Sequence, residues 1–172
     1  PISEQAWDTE FEKYKLIPEY RLQNSGMSLS EFKVIYWWEW GHRQLGRIIG
    51  LVWLAGFSWF LLSKKIPNGW TIRLLLLGIL GGFQGAVGWW MVSSGLSENM
   101  LDVASYRLAT HLGLAFIILG FTLWYIFMMS LSEAEILARQ RIRDQSIFGK
   151  STGLMHFVFL QILIGALVAG ID

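Results

Sequence analysis

Cysteine is absent from the 172-residue chain, which excludes a disulfide framework and any thiolate metal or redox site. Charge is scarce too: Asp, Glu, Lys and Arg supply 16% of residues, where an ordinary soluble domain has roughly 25%. Proline occurs only at Pro1, Pro18 and Pro67, so the long apolar stretches contain none and are free to run as unbroken helices. Apolar residues make up 53% of the chain, aromatic ones 15%, and mean hydropathy is +0.43. Ten Trp and eighteen Gly fit membrane helices and their interfaces, where both are enriched. The net charge of +1 is uninformative, so the distribution of charge carries the argument; no nucleic-acid partner is expected. A lipid membrane is the expected surrounding.

Four stretches are long enough to cross a bilayer core of about 30 Å: 38–62, 71–93, 107–130 and 152–171. Lys64, Lys65 and Arg73 crowd the 63–73 connection. Arg139, Arg141, Arg143 and Lys150 lie in 131–151, whereas 94–106 carries Glu98 and Asp102. The Lys/Arg bias places 63–73 and 131–151 in the cytoplasm, and 1–37 and 94–106 on the outer, periplasm-like side. The 131–150 linker reads as amphipathic and helical at the membrane surface. Before the first span, Trp7, Phe11 and Tyr14 recur at helical spacing within "SEQAWDTEFEKYKLI", predicting an amphipathic helix on the outer surface. Pro18 breaks it. Ser28 and Glu31 have capping-box spacing, so a second helix starts near Ser28 and runs into the first span.

These elements predict an all-α, polytopic transmembrane helix bundle. It divides into an outer amphipathic loop (1–36), three spanning helices (37–130), a cytoplasmic linker (131–151) and a further spanning helix (152–172). A repeat supports two related halves: "QGAVGWWMVSSG" (84–95) and "QILIGALVAG" (161–170) share Gln, three residues, then Gly, at the end of an outward span. The chain opens at Pro1 rather than methionine and stops at Asp172 straight after an apolar run, so it is expected to be a piece of a longer protein.

The chemistry concentrates in "YWWEWGHRQLGRIIG" (36–50). On a helix, Glu39, His42, Arg43, Gly46 and Gly50 fall within an arc of roughly 100°, with Arg47 beside it. His111, in "YRLATHLGLAF" (106–116), has Arg107 one turn earlier on the same face. Both histidines lie a turn or two below the outer surface in inward-running spans. Two imidazoles facing one another in an apolar bundle suit the iron of a heme, and Arg43, Arg47 or Arg107 would meet its propionates. Blander readings stand beside this one. A histidine near an interface serves as a polar anchor, Arg43 and Arg107 snorkel to headgroups, and Glu39 pairs with Arg43 at i+4. The glycines of the second span (Gly78, Gly81, Gly82, Gly85, Gly88) and Gln84 serve helix packing. His156 lies at the cytoplasmic end of its span and reads as structural.

The motifs then resemble a known family. "EFKVIYWWEWGHRQLGRIIG" resembles the Glu-x-x-His-Arg…Gly-Arg segment of the heme A synthase family. "FQGAVGWWMVSSGL" and "YRLATHLG" resemble its next two signatures, in order. "SEQAWDTEFEKYKLIPEY" resembles its first extracytoplasmic loop, and "GALVAGID" the start of its second half. The resemblance covers essentially the whole chain. It implies an eight-helix protein of two pseudo-symmetric four-helix halves, of which this chain carries helices two to five. The implied activity is oxidation of the C8 methyl of heme O to formyl by successive hydroxylations, giving heme A for cytochrome oxidase. Heme b or heme O and iron are the implied cofactors. Heme O synthase, an electron donor and possible further copies of the chain are the implied partners. His42 and His111 match one histidine pair as axial iron ligands, and Glu39 matches an acid taken to be catalytic. Localisation would be the bacterial inner membrane, or the mitochondrial one in a eukaryote, with heme near the outer face. This chain alone would be inactive, since the second pair lies in the other half. Some members carry a cysteine pair in the outer loop, and this chain does not. The competing reading is a bis-histidine electron-transfer subunit of the cytochrome b kind, which needs both histidines but has no use for Glu39.

Overall fold

The computed structural model describes residues 1–95 and 104–169, apart from the side chains of 94 and 95. Within these residues the chain forms helices α1 (Glu4–Tyr14), α2 (Pro18–Leu22), α3 (Leu29–Leu62), α4 (Thr71–Gly95), α5 (Ser105–Ser130), α6 (Glu133–Arg141) and α7 (Gln145–Ala169), with no strand among them. Four of these, α3, α4, α5 and α7, are long and apolar enough to cross a membrane. The all-α polytopic architecture expected from the sequence is therefore the observed one. Glu98 and Asp102, on which the outward placement of 94–106 rests, lie outside the described residues, as do the last three residues of "GALVAGID". Two compact units result, Pro1–Ala104 and Ser105–Asp172.

In the first unit, α3 begins with the expected capping box. Glu31 N–H donates to Ser28 Oγ (3.4 Å), and Ser28 N–H donates to Glu31 Oε2 (2.7 Å). From there 34 residues run without interruption, about 51 Å at 1.5 Å per residue. That exceeds a hydrocarbon core of about 30 Å, so the first turns of α3 stand outside it. The segment before α3 packs on those turns. Trp7 and Phe11 of α1 are buried against Phe32 of α3, with Tyr14, Tyr20 and Tyr36 around them. Phe11 and Phe32 ring centres are 5.1 Å apart, and Trp7 meets Tyr36 edge-on at 5.0 Å. Pro18 sits at the first turn of α2, where its missing N–H costs nothing. The polypeptide turns there, as the sequence predicts.

Tyr14 closes this hub. Its hydroxyl donates to Glu19 Oε1 (3.0 Å) and accepts from Asn24 Nδ2 (2.9 Å). Burial, and then the Glu19 carboxylate, push its phenol from 10.0 up to about 12. A raised folded value favours the protonated phenol, so the contribution to stability is complete below pH 10 and is lost as pH rises towards 12. In an ultraviolet titration of tyrosinate, one phenol should ionise late, near pH 12, and Tyr14→Phe should remove that phase. A wild-type titration in which every tyrosine ionises near its ordinary value would contradict this.

Deeper in the membrane, α3 meets α4 where the Trp53 ring lies on Gly78, leaving no room for a Cβ. In the second unit α5 packs on α7. A Cβ on Gly113 would meet Leu163 Cδ2 at 2.6 Å, and Ala109 and Ala166 are buried. The linker is helical as expected over Glu133–Arg141, opened by a second capping box from Ser132 and Glu135. The fourth long helix begins at Gln145, seven residues before the predicted 152. Asp144 Oδ1 accepts from the N–H groups of Ser146 (2.8 Å) and Ile147 (3.1 Å). This N-terminal cap starts the helix inside the charged linker, where hydropathy alone gives no helix signal.

Candidate functional site

His42 lies in the N-terminal half of α3, thirteen residues after its first. On an ideal helix, Glu39, His42 and Gly46 share the face of Trp53, which is the face turned towards α4. Counting outward from the Trp53–Gly78 contact along the two antiparallel helices, Gly50 is about level with Gly81 and Gly46 with Gly85. His42 comes about level with Trp89, roughly three turns from the contact. A Cβ built on Gly46, Gly50, Gly81, Gly82 or Gly85 meets nothing within 4 Å. The two helices are thus tightly packed at Gly78 and bare outward of it, along a strip of glycines that ends at an imidazole.

Glu39 and Arg43 form an ion pair, Nη1 to Oε2 at 3.2 Å, both side chains largely exposed. An exposed i,i+4 pair contributes only about 0.3–0.5 kcal/mol, so it is easily exchanged for another partner. Among the described residues no carboxylate comes within ion-pair distance of Arg47, which lies beside this face, about 120° around the helix from Trp53. Trp37 and Trp40 flank Glu39 in sequence. Trp37 touches both Trp7 of the hub (5.8 Å) and Trp40 (5.3 Å). Helix α1 therefore braces the turn of α3 that carries Glu39.

His111 and Arg107 belong to the second unit, one turn apart on α5. Both are half-buried, and His111 Nδ1 is shielded from solvent. Arg107 Nε donates to the Tyr106 hydroxyl at 3.0 Å. The ideal helix turns His111 roughly 160° from Gly113, that is, away from the face packed on α7. Each histidine is thus placed within its own unit. His156 Nδ1 lies 2.7 Å from the Thr152 carbonyl, and a carbonyl can only accept, so Nδ1 carries the proton and the ring is tied to its own helix. That matches a structural histidine.

No three His, Cys, Asp or Glu among the described residues gather as a cage for a bare ion. A lone imidazole beside an open strip would fit a metal that brings most of its own ligands, as a heme iron does. The open glycine strip below His42 is what the plane of a heme requires, and Arg47 lies beside it. Sequence reading found each of these residues but missed the register that brings Gly46 and Gly50 opposite Gly85 and Gly81. It also missed the route from Trp7 to Trp40; the i,i+4 recurrence of Phe32, Tyr36 and Trp40 was its available signal.

A family model described as cytochrome oxidase assembly protein matches residues 1–172. Curated relatives carrying the name heme A synthase are 64% identical in Ruegeria sp. (strain TM1040), 60% in Roseobacter denitrificans (strain ATCC 33942 / OCh 114) and 61% in Paracoccus denitrificans (strain Pd 1222), each over 100% of this chain. The matched region is 46%, 46% and 45% of those proteins, so the chain spans a little under half the length of the relatives it matches. No solved structure matches it.

Proposed function

The chain belongs to the cytochrome oxidase assembly protein family, and from that membership we propose that it is the heme-binding N-terminal portion of a heme A synthase. It is an integral membrane protein, with four helices able to span. The full protein would be an oxidoreductase that converts the C8 methyl of heme O to a formyl group by successive hydroxylations, yielding heme A for cytochrome oxidase. The observation that carries the reading is the glycine strip on α3 and α4, open at five positions and ending at His42. The names of the relatives support it over their whole overlap with this chain.

In this reading His42 and His111 would hold heme iron through their imidazole nitrogens. Bound iron would supply the redox chemistry. The protein's own part is to bind, orient and handle charge. Arg47 pairs with a propionate, and Arg43 and Arg107 are further cations at the wet end. Glu39 would stabilise positive charge developing at the heme O methyl carbon or take a proton there; its exposed ion pair with Arg43 is weak enough to be exchanged. The site lies towards the outer face of the bacterial inner membrane, following the Lys/Arg bias. Heme O synthase as supplier and an external electron donor are the proposed partners, and further copies of the protein remain compatible with it.

Glu39→Gln in the full-length protein should lower heme A formation by about 100-fold, within the range of lost general acid–base catalysis, while bound heme is retained. Pigment extraction and chromatography read both quantities. Unchanged heme A yield would return the site to the electron-carrier reading, in which an acid at this face has no task.

A further inference from the structure

The connection between α5 and α7 carries charge and apolar surface that the heme reading does not use. Two of its three acids are engaged at helix starts, and the third, Glu133, lies in the first turn of α6. Glu135 Oε2 accepts from Ser132 N–H (2.8 Å) and Oγ–H (2.7 Å), and Asp144 caps α7. Its arginines are not so engaged. Among the described residues, no carboxylate lies within ion-pair distance of Arg139, Arg141 or Arg143. Arg143 is held in place all the same, stacked on Phe148 at 3.7 Å from the ring centre and donating from Nη2 to Gln145 Oε1 at 3.0 Å. Between the arginines and just beyond them, Ile142 is 82% exposed and Ile147 64%.

The level of this connection follows from packing. Gly113 of α5 contacts Leu163 of α7. From that contact, α5 runs about 26 Å to its last residue and α7 about 27 Å back to its first, at 1.5 Å per residue. Both helices end together, close to one hydrocarbon thickness from a shared point near the opposite face. The segment joining them lies at headgroup depth. Exposed isoleucines beside unpaired arginines are costly in water and favourable at that depth, where the acyl boundary takes the former and phosphate oxygens the latter.

We infer that Arg139, Arg141 and Arg143 form a binding surface for the phosphodiester headgroups of anionic phospholipids, with Ile142 and Ile147 entering the acyl boundary. Guanidinium groups bind phosphate bidentately, and Arg143 is already oriented by Phe148 and Gln145. The surface acts independently of the heme site, and its readout needs no heme chemistry.

The test uses the full-length protein in detergent, presented with phosphatidylglycerol or phosphatidylcholine, with retained lipid counted by native mass spectrometry. Wild type should retain phosphatidylglycerol preferentially. At roughly fivefold per cation, the triple variant R139Q/R141Q/R143Q should lose about a hundredfold of that affinity, while its phosphatidylcholine binding stays as it was. The triple lysine variant should keep the preference. Equal retention of both lipids by wild type, or a glutamine variant that holds phosphatidylglycerol as wild type does, overturns the inference. Should the glutamine variant fail to fold, salt decides on wild type alone. The preference must fall as ionic strength rises, and a salt-independent preference overturns the inference too.

Discussion

Replacing His42 by alanine in the full-length protein is expected to abolish heme A formation, with a loss greater than about 100-fold. Losing a group that merely supports a metal ligand costs about 10- to 100-fold, and loss of the ligand itself should exceed that. The fold should tolerate the change, because the His42 side chain is exposed and its removal leaves no packed cavity. Two readouts separate binding from folding: heme retained after purification, and the thermal midpoint of the protein without heme. Lost heme with an unchanged midpoint is the expected pair. A variant that keeps its full heme complement would remove His42 from the ligand set and leave it the polar interface anchor that its sequence position equally allows.

The second large effect comes from two glycines on facing helices that should behave in opposite ways. Gly46→Leu puts a side chain into space where a Cβ meets nothing within 4 Å. Helix propensity then favours the variant by about 0.5–1 kcal/mol, so it should be at least as stable as wild type. It should nonetheless lose most of its heme, since the leucine occupies the strip below His42. Gly78→Ala instead drives a methyl group into the Trp53 ring. Overpacking of that kind costs about 1–3 kcal/mol, and heme should be lost only in proportion to the unfolded fraction. Thermal unfolding and heme content, measured side by side on both variants, check the pair. A Gly46→Leu protein with normal heme content would show that the glycines serve helix approach alone.

Much of this was legible in the sequence because it is written locally. Ser28 and Glu31 announce the start of α3 at capping-box spacing, and Pro18 marks the break after α1. The i+4 spacing of Glu39 and Arg43 anticipates their ion pair. Apolar run length locates the four long helices. What stayed hidden depends on partners. The period of Trp7 and Phe11 says which side of α1 is buried, but not that Phe32 and Tyr36 bury it. Glycine spacing on α3 and α4 gives two small-residue strips. Only the seating of Trp53 on Gly78 sets which glycine faces which, and therefore that an open strip ends at His42. The early start of α7 was missed for a simpler reason. Asp144 acts through its side-chain hydrogen bonds to Ser146 and Ile147, in a charged stretch that reads as linker by composition.

The proposed assignment of His42 and of His111 as heme ligands is the central claim, and extracted pigment tests it most directly. Wild type, His42→Ala and His111→Ala forms of the full-length protein would be purified from membranes, and their hemes extracted and separated. The account predicts heme A or its hydroxylated precursor from wild type, and the same loss of product and of bound heme from both variants. A His42→Ala or His111→Ala protein that keeps both its bound heme and its heme A product at the wild-type level would contradict it.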